Sequence, residues 1–340
     1  MPSDAVRLVI AGKEYSGWTG ATVSMAIDQI ADAFSVSAPY DPADPAFSAI
    51  KPRTYPKTQV YIGDDLVMTG YAEHISAPLS EGGRMITIQG RSLPGQLVDC
   101  SIDGPLEYSG LALSTIARQL ASPFGISIRA DNDTNPLDLA RAEYGQTVAD
   151  FLNSLAAPRL LLLNSSYSGQ LVISWGKTLK DKPVVAELTE GSGGIISIES
   201  TFDDTRLFSV YKAATQFAGE ADIVGQSRDP SVKLYRPRLV SVGETDQGPD
   251  TTARRLRCEA EAAAFSVSVV LSGWRRPDGA RWAERQAVTL VAPSAMLKTR
   301  AKYIIAECAL SLTAQGQTTA LRLVLPETYA GEAPKATPWA

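Results

Sequence analysis

Between Val60 and Arg91 the chain alternates apolar and polar side chains about two tight turns. Val60-Tyr61-Ile62 runs into Gly63-Asp64-Asp65, Leu66-Val67-Met68 leaves it, and Thr69 to Ile75 continues the alternation. Glycine and aspartate supply the positive φ and the side chain-to-backbone bonds that a tight turn needs. Ser80-Glu81-Gly82-Gly83 turns the chain again, and Met85-Ile86-Thr87-Ile88 brings it back. A period of two over that length predicts a three-stranded antiparallel meander. A weaker version runs from Val288 to Pro326, with turns at Ala292-Pro293-Ser294 and Ala314-Gln315-Gly316-Gln317.

The rest of the chain divides around these two meanders. Ala5 to Ile10, Tyr15 to Trp18, Thr22 to Ile27 and Ala33 to Ala38 read as strands. Prolines 39, 42, 45, 52 and 56 mark the stretch before the first meander as loop, because proline cannot donate to a ladder. Residues 1–100 are therefore expected to form an all-β domain with a closed or nearly closed sheet. The period then changes. Leu113, Ile116, Ala117 and Leu120 share one helical face, with Ser109 as the expected N-cap. Val148, Phe151, Leu152 and Leu155 form the stripe of a second helix over Gly145 to Ala157, and a hairpin follows to Trp175. Residues 101–190 are expected to be a small α+β domain, and Gly191-Ser192-Gly193-Gly194 a flexible joint. Strands return at Ile195 to Glu199 and Leu207 to Ala213, with Ala218 to Asp229 as a polar loop. Residues 229–281 read as a compact β-α-β insertion, with a helix from Asp250-Thr251 to Ala264. Residues 191–228 and 282–328 then form a second, discontinuous β-domain, and 329–340 a flexible tail rich in alanine and proline.

Phe34-Ser35-Val36 precedes the first meander and Phe208-Ser209-Val210 the second, and Tyr71 and Tyr303 hold comparable places. The extra spacing in the second half is close to the length of the β-α-β piece. One β-domain occurring twice, the second copy interrupted, fits this pattern; two unrelated β-domains that merely share alternation fit it too.

The 340 residues are 44% hydrophobic and 20% charged, enough for several globular domains. A net charge of -5 argues against a protein that coats nucleic acid. Cys100, Cys258 and Cys308 are odd in number and far apart, which suits reduced thiols rather than a disulfide framework or a zinc site. No apolar run reaches membrane-spanning length, and MPSDAVRLVI lacks the flank and core of a signal peptide. Folding in the cytosol is expected.

Catalytic patterns are sparse. His74, the single histidine, alternates with Tyr71, Glu73 and Ile75 on a strand and reads as a solvated side chain. No GxSxG surrounds a serine. Asp131-Asn132-Asp133-Thr134-Asn135 imitates the start of a calcium loop, but Pro136 replaces the turn glycine and Ala142 the twelfth-position glutamate. Gly191 to Gly194 lacks the Lys-Ser/Thr of a P-loop. Asp64-Asp65 and Asp203-Asp204 read as turn residues. Arginines 236, 238, 254, 255, 257, 275, 276, 281 and 285 are interspersed with acids that include Glu244, Asp246, Glu259 and Glu261. Arg255–Glu259 and Arg257–Glu261 pair at i,i+4, and no aromatic platform interleaves them. No catalytic, cofactor or metal residue is assigned.

Several ordered segments resemble one family. Gly12-Lys13-Glu14-Tyr15-Ser16-Gly17-Trp18-Thr19, Met68-Thr69-Gly70-Tyr71, Thr87 to Ser92 and Leu97-Val98-Asp99-Cys100 are similar to the baseplate hub protein of Mu-like contractile-tailed phages. The likeness continues through Leu113 to Ala117, Pro123 to Ile126, Gln146-Thr147-Val148, Val270 to Trp274 and Gln315 to Leu321. The resemblance implies a mainly β fold with two tail-tube-like antiparallel β-barrels and two small α/β domains. It also implies a non-enzymatic homotrimer in the virion tail baseplate, assembled in the bacterial cytoplasm. Such a trimer would join a six-fold tail tube or tube-initiator proteins to a three-fold central spike, alongside other baseplate proteins, without stable nucleic-acid binding or cofactors. Because the chain ends soon after its second meander, a separate spike protein is expected. A tail-tip cell-wall hydrolase and a carbohydrate-binding β-module are the alternatives.

Overall fold

The computed structural model describes residues 4–43, 47, 50–80, 83–215, 223–242 and 248–340. Pro45, the turn residues Glu81 and Gly82, the start of the expected loop at Ala218, and Glu244 and Asp246 lie outside them.

The first ninety residues form β1 (Val6–Ile10), β2 (Lys13–Tyr15), β3 (Gly20–Ala26), β4 (Ala33–Pro39), β5 (Lys57–Ile62), β6 (Asp65–Ser76), β7 (Leu79–Ser80) and β8 (Gly83–Ser92). The expected meander is β5-β6-β8, antiparallel throughout. Two glycines let its strands approach closely. A Cβ on Gly70 would lie 1.8 Å from the Arg91 carbonyl oxygen, and one on Gly90 1.9 Å from that of Tyr71. After α1 (Gly95–Asp99) come β9 (Glu107–Tyr108), α2 (Leu113–Ala121), β10 (Ile128–Ala130), β11 (Ala140–Arg141), α3 (Val148–Ala156), β12 (Leu161–Ser165) and β13 (Leu171–Trp175). These pack about their own core, centred on Leu113, Ile116, Phe151 and Leu152. Both helical stripes read from the sequence point into it. Helix α3 starts at Val148, three residues on from Gly145, with Thr147 Oγ1 accepting from Asp150 N as its cap.

The remaining elements are β14 (Val184–Thr189), β15 (Ile195–Phe202), β16 (Val210–Thr215), β17 (Ile223–Arg228), β18 (Pro237–Ser241), α4 (Pro249–Ala263), β19 (Phe265–Ser272), β20 (Ala287–Ala292), β21 (Leu297–Thr313) and β22 (Gly316–Val324). The sheet pairings move the expected divisions. β14 runs parallel to β20 and so belongs with the second meander, not with residues 101–190. The glycines at 191–194 make an ordered turn between β14 and β15, where Ser192 Oγ donates to Thr189 O. The interrupting unit is β17-β16-β18 with α4 packed on it. It takes in Val210 to Ala263, while β19 lies in the large sheet between β15 and β22. Part of the expected Ala218–Asp229 loop is β17. The Phe208-Ser209-Val210 segment leads into this small sheet, so it is no counterpart of Phe34-Ser35-Val36 on β4.

Fourteen of the strands join into one sheet. Its strand order repeats. The first half reads β1-β5-β6-β8-β4-β3 and the second β14-β20-β21-β22-β19-β15, and each set falls in the same order along the chain. Only the β14–β20 pair differs, being parallel where β1–β5 is antiparallel. The bulge between Ala72 and His74 in β6 recurs between Ile305 and Glu307 in β21. This register matches Tyr71 with Ile304, not with Tyr303, and a one-residue step reverses the face. Tyr303 is accordingly fully buried while Tyr71 is half-buried. Among the described residues no pairing closes either half into a ring by itself, so the expected closed barrels are open curled sheets. One apolar cluster runs through both halves, from Leu8, Val23 and Ile88 to Val267, Tyr303 and Leu323.

Residues 329–340 pack back on the fold instead of forming a flexible tail. Tyr329 Oη donates to Asp28 Oδ2 at 2.7 Å, Lys180 Nζ donates to Glu332 Oε1 at 2.5 Å, and the Trp339 ring packs tilted against Phe265, centroids 4.8 Å apart. Aromatic rings that lose water on packing offset the order imposed on such a segment.

Candidate assembly interface

The two halves meet edge to edge. β3 pairs antiparallel with the far end of β21, from Ala26 opposite Glu307 to Ala21 opposite Leu312. Val23, Met25, Cys308 and Leu310 put their side chains in the common core. Burial pushes the Cys308 thiol up, which leaves it an inert apolar filler. On the solvent side Ser24 Oγ donates to Glu307 Oε1 at 3.3 Å. Arg322 reaches Asp28 at 2.8 Å and Glu307 at 3.4 Å. Burial also pushes the Tyr329 hydroxyl up, keeping it protonated to donate to Asp28.

The counterparts of this ladder are open. β6 pairs with β5 only as far as Tyr71 opposite Lys57, so its Glu73–Ser76 segment has a free side among the described residues. β15, the counterpart of β3, is an edge strand with a free side among the described residues. Ile196 is 59% exposed there and Phe202 39%. An eight-residue edge with exposed apolar side chains is a template for another strand. His74 sits on the free segment of β6, exposed, beside a groove of about 200 Å³ whose far wall is the loop of Lys51, Arg53 and Tyr55. On β8, Arg91 bonds Glu73 at 2.7 Å and also Asp99, whose carboxyl it holds below the usual range.

The other sequence candidates do structural jobs. Asp133 Oδ1 and Thr134 Oγ1 accept from Ser114 N and Leu113 N at 3.0 and 2.9 Å. The calcium-like loop is thus the cap of α2, supplied from twenty residues away, whereas Ser109 Oγ donates to Asp138 O. Asp203 caps its own turn through Thr205 N and holds Arg206. Asp65 and Asp4 hold Arg275, and Asp64 lies 3.9 Å from Arg7. Arg255–Glu259 and Arg257–Glu261 pair along α4 as the spacing requires. The sequence places Arg285 only within a cluster of interspersed charges, and the structure shows it reaching from the second half to Asn164 Oδ1 and Ser174 Oγ of the helical unit at 3.0 and 2.6 Å. No periodicity marks such a long-range bridge. Among the described residues, no group of three His, Cys, Asp or Glu side chains could hold a metal ion.

A duplicated sheet with one edge ladder made within the chain, and its repeat left open among the described residues, is the geometry of a protein that can assemble through its strand edges. The comparisons agree. Residues 5–92 match the family of the Mu phage baseplate assembly protein GpP-like, N-terminal. Residues 94–175 match that of the baseplate hub protein gp44-like, second domain. The chain is 26% identical over 317 residues to baseplate hub protein gp44 of Escherichia phage Mu, covering 87% of this chain and 81% of that one. Its fold matches the 43 kDa tail protein of prophage MuSo2 from Shewanella oneidensis with a TM-score of 0.82 at 25% identity, over 96% and 99% of the two chains. It also matches, at 8% identity and a TM-score of 0.57, the E. coli c3393 protein, over 98% of this chain and 78% of that one. That protein is described as a component of the type VI secretion system with structural similarity to T4 bacteriophage tail proteins gp27 and gp5. Both matched domains are those of Mu-like phage baseplate proteins, the relatives are structural baseplate hub proteins rather than enzymes, and the chain is a structural baseplate hub protein of a phage tail.

Proposed function

We propose that three copies of this chain close into a ring of six similar β-units, adapting a six-fold tail tube to a three-fold central spike. The observation that carries the reading is the repeated strand order with its half-used edges. Within one chain, β3 of the first half pairs with β21 of the second. Repeating that contact makes β15 of one copy pair with the Glu73–Ser76 segment of β6 in the next. Three such steps return to the start, which pairs β15 and the Glu73–Ser76 segment of every copy. The matched bulges give the register: Ile75 faces Phe202 and Ser76 faces Thr201, as Cys308 faces Met25 and Ala309 faces Ser24 within the chain. The two units of each copy differ in their insertions, so the ring has six equivalent ladders but a three-fold outer surface. In this reading the tube or its initiator stacks on the ring, a separate spike and other baseplate proteins occupy the three-fold face, and assembly takes place in the host cytoplasm.

Facing residues of an antiparallel ladder have Cα atoms roughly 4.5–5.5 Å apart, within disulfide reach. Both Ser76 and Thr201 are exposed. A Ser76→Cys, Thr201→Cys double variant should therefore run as covalent trimer on oxidation, and neither single variant should. Light scattering should give a trimer at micromolar concentration. A monomer by scattering, with no covalent product, would refute the ring.

A further inference from the structure

The small sheet and α4 stand off from the large sheet across a groove of about 910 Å³, a volume that takes several side chains. Its apolar wall is aromatic: Phe202 and Phe265 pack on Trp339 at 5.4 and 4.8 Å. Its polar floor carries three cations and three acids, and leaves one carboxylate oxygen without a donor. Arg236 on the groove is held by the Leu207 and Thr205 carbonyls at 2.9 and 2.8 Å, and Lys233 by the Pro230 carbonyl at 2.9 Å. Arg257 is held by the Arg228 carbonyl at 2.9 Å and lies 3.3 Å from Glu261. Asp229 is 5% exposed. Its Oδ1 accepts from Ser231 N and Oγ at 2.9 and 2.6 Å, and its Oδ2 has no partner among the protein atoms. A buried carboxylate oxygen without a donor is costly, and a charged donor relieves it.

The strand repeat says what stands beside Phe202. Lys57 opposes Tyr71 as Ala287 opposes Ile304. Ahead of them, the Pro56 carbonyl accepts from Ala72 N as the Gln286 carbonyl accepts from Ile305 N. Tyr55 and Arg285 both have positive φ, 45° and 65°. The loop before β5 therefore matches the loop before β20 at Tyr55 and Pro56, and the same spacing sets Lys51 against Arg281, although Arg53 has a positive φ of 63° that Ala283 does not share. Within the chain Arg281 Nη1 contacts Met25 Sδ at 3.8 Å, and Met25 is the counterpart of Phe202.

We propose that the groove is filled by the Lys51–Tyr55 loop of a second copy, with Lys51 donating to Asp229 Oδ2 and Tyr55 lying against the Phe202–Trp339 wall. This rests on the ring reading and adds the contact that holds it. Lys51, Arg53 and Tyr55 are exposed in the single chain, Tyr55 by 64%. The loop supplies a cation for Asp229 Oδ2, which Lys233, Arg236 and Arg257 leave without a hydrogen bond, and a further ring for the aromatic wall, so ladder and groove close in one step. Proline at 52 limits the freedom that the loop loses on docking.

The test measures trimer dissociation by sedimentation of the full chain, with thermal melting as the folding control. Asp229→Asn keeps the acceptor for Ser231, and Lys51→Glu lies on an exposed loop, so neither disturbs the single chain. Each should raise the monomer-trimer midpoint concentration about tenfold or more, the loss expected for a charge-assisted bond. Lys51→Asp combined with Asp229→Lys should recover part of that loss. Unchanged trimer affinity in both single variants, with the Ser76–Thr201 cross-link still forming, overturns the groove contact and leaves the ring standing. Absence of any trimer or cross-link in the unsubstituted background overturns both.

Discussion

Phe151→Ala should weaken the helical unit and spare the large sheet. Phe151 is 1% exposed, at the centre of the α2–α3 core, with the Tyr108 ring 5.8 Å away. That core is a separate apolar cluster from the one that runs through both sheet halves. Truncating a fully buried phenylalanine costs about 3–5 kcal/mol, since transfer free energy is lost and a cavity remains. Each 1.4 kcal/mol is tenfold, so amide protection in α2, α3 and β12–β13 should fall roughly 140- to 3,700-fold. Hydrogen exchange read by mass spectrometry resolves the peptides. Those covering β3–β4 and β21–β22 should keep their native protection. An equal fall in both sets would refute the separation of the two cores, and an unchanged α3 would refute the placement of Phe151 within one.

Thr134→Ala and Asp133→Ala each remove one acceptor from the first turn of α2 and should cost about 1 kcal/mol, seen as faster exchange at Leu113 or Ser114; unchanged exchange there would deny the remote cap. Gly90→Ala drives a Cβ to 1.9 Å from the Tyr71 carbonyl oxygen and 2.6 Å from the Phe34 ring, so it should cost at least the ~1–3 kcal/mol of an overpacked core, and a wild-type melting temperature would count against the close β6–β8 approach. Burial, then the charge of Glu284, hold the Asp32 carboxyl well above its usual range, against a smaller opposing bond from Ala26 N. Its stabilising contribution is therefore complete below the unfolded value of about 4 and is lost as pH rises towards the folded value. Asp32→Asn should match wild type in melting temperature near pH 4 and exceed it at pH 7; a wild-type advantage at pH 7 would reverse the sign of that argument.

Local pattern carried much of this architecture. The alternation about Gly63-Asp64-Asp65 gave β5 and β6, and the stripes at Leu113–Leu120 and Val148–Leu155 gave the two helices and their buried faces. What failed was non-local. β14 looks like part of the helical unit because it follows it in sequence, and only its pairing with β20 assigns it to the large sheet. The Phe-Ser-Val match misled because three residues are shared easily, whereas the true repeat lies in strand order and bulge position, which leave almost no trace in residue identity. The tail reads as disordered from its alanines and prolines, yet Tyr329 and Trp339 anchor it on surfaces made by residues far away. The candidate interface was equally hidden, since an edge strand and a central one share the same alternation.

The β3–β21 ladder also sets a condition on biosynthesis. Ser24 and Glu307 are 283 positions apart, so on the ribosome the first half emerges long before the strand that covers its edge. At ~5–20 residues per second the wait is roughly 15–60 s. During that time every polysome displays the same bare β3 to its neighbouring nascent chains, at high local concentration. Thr22 and Ser24 facing outward, in place of larger apolar residues, make that edge a poor site for premature pairing. The polar face of β3 thus guards translation as well as serving the finished hub.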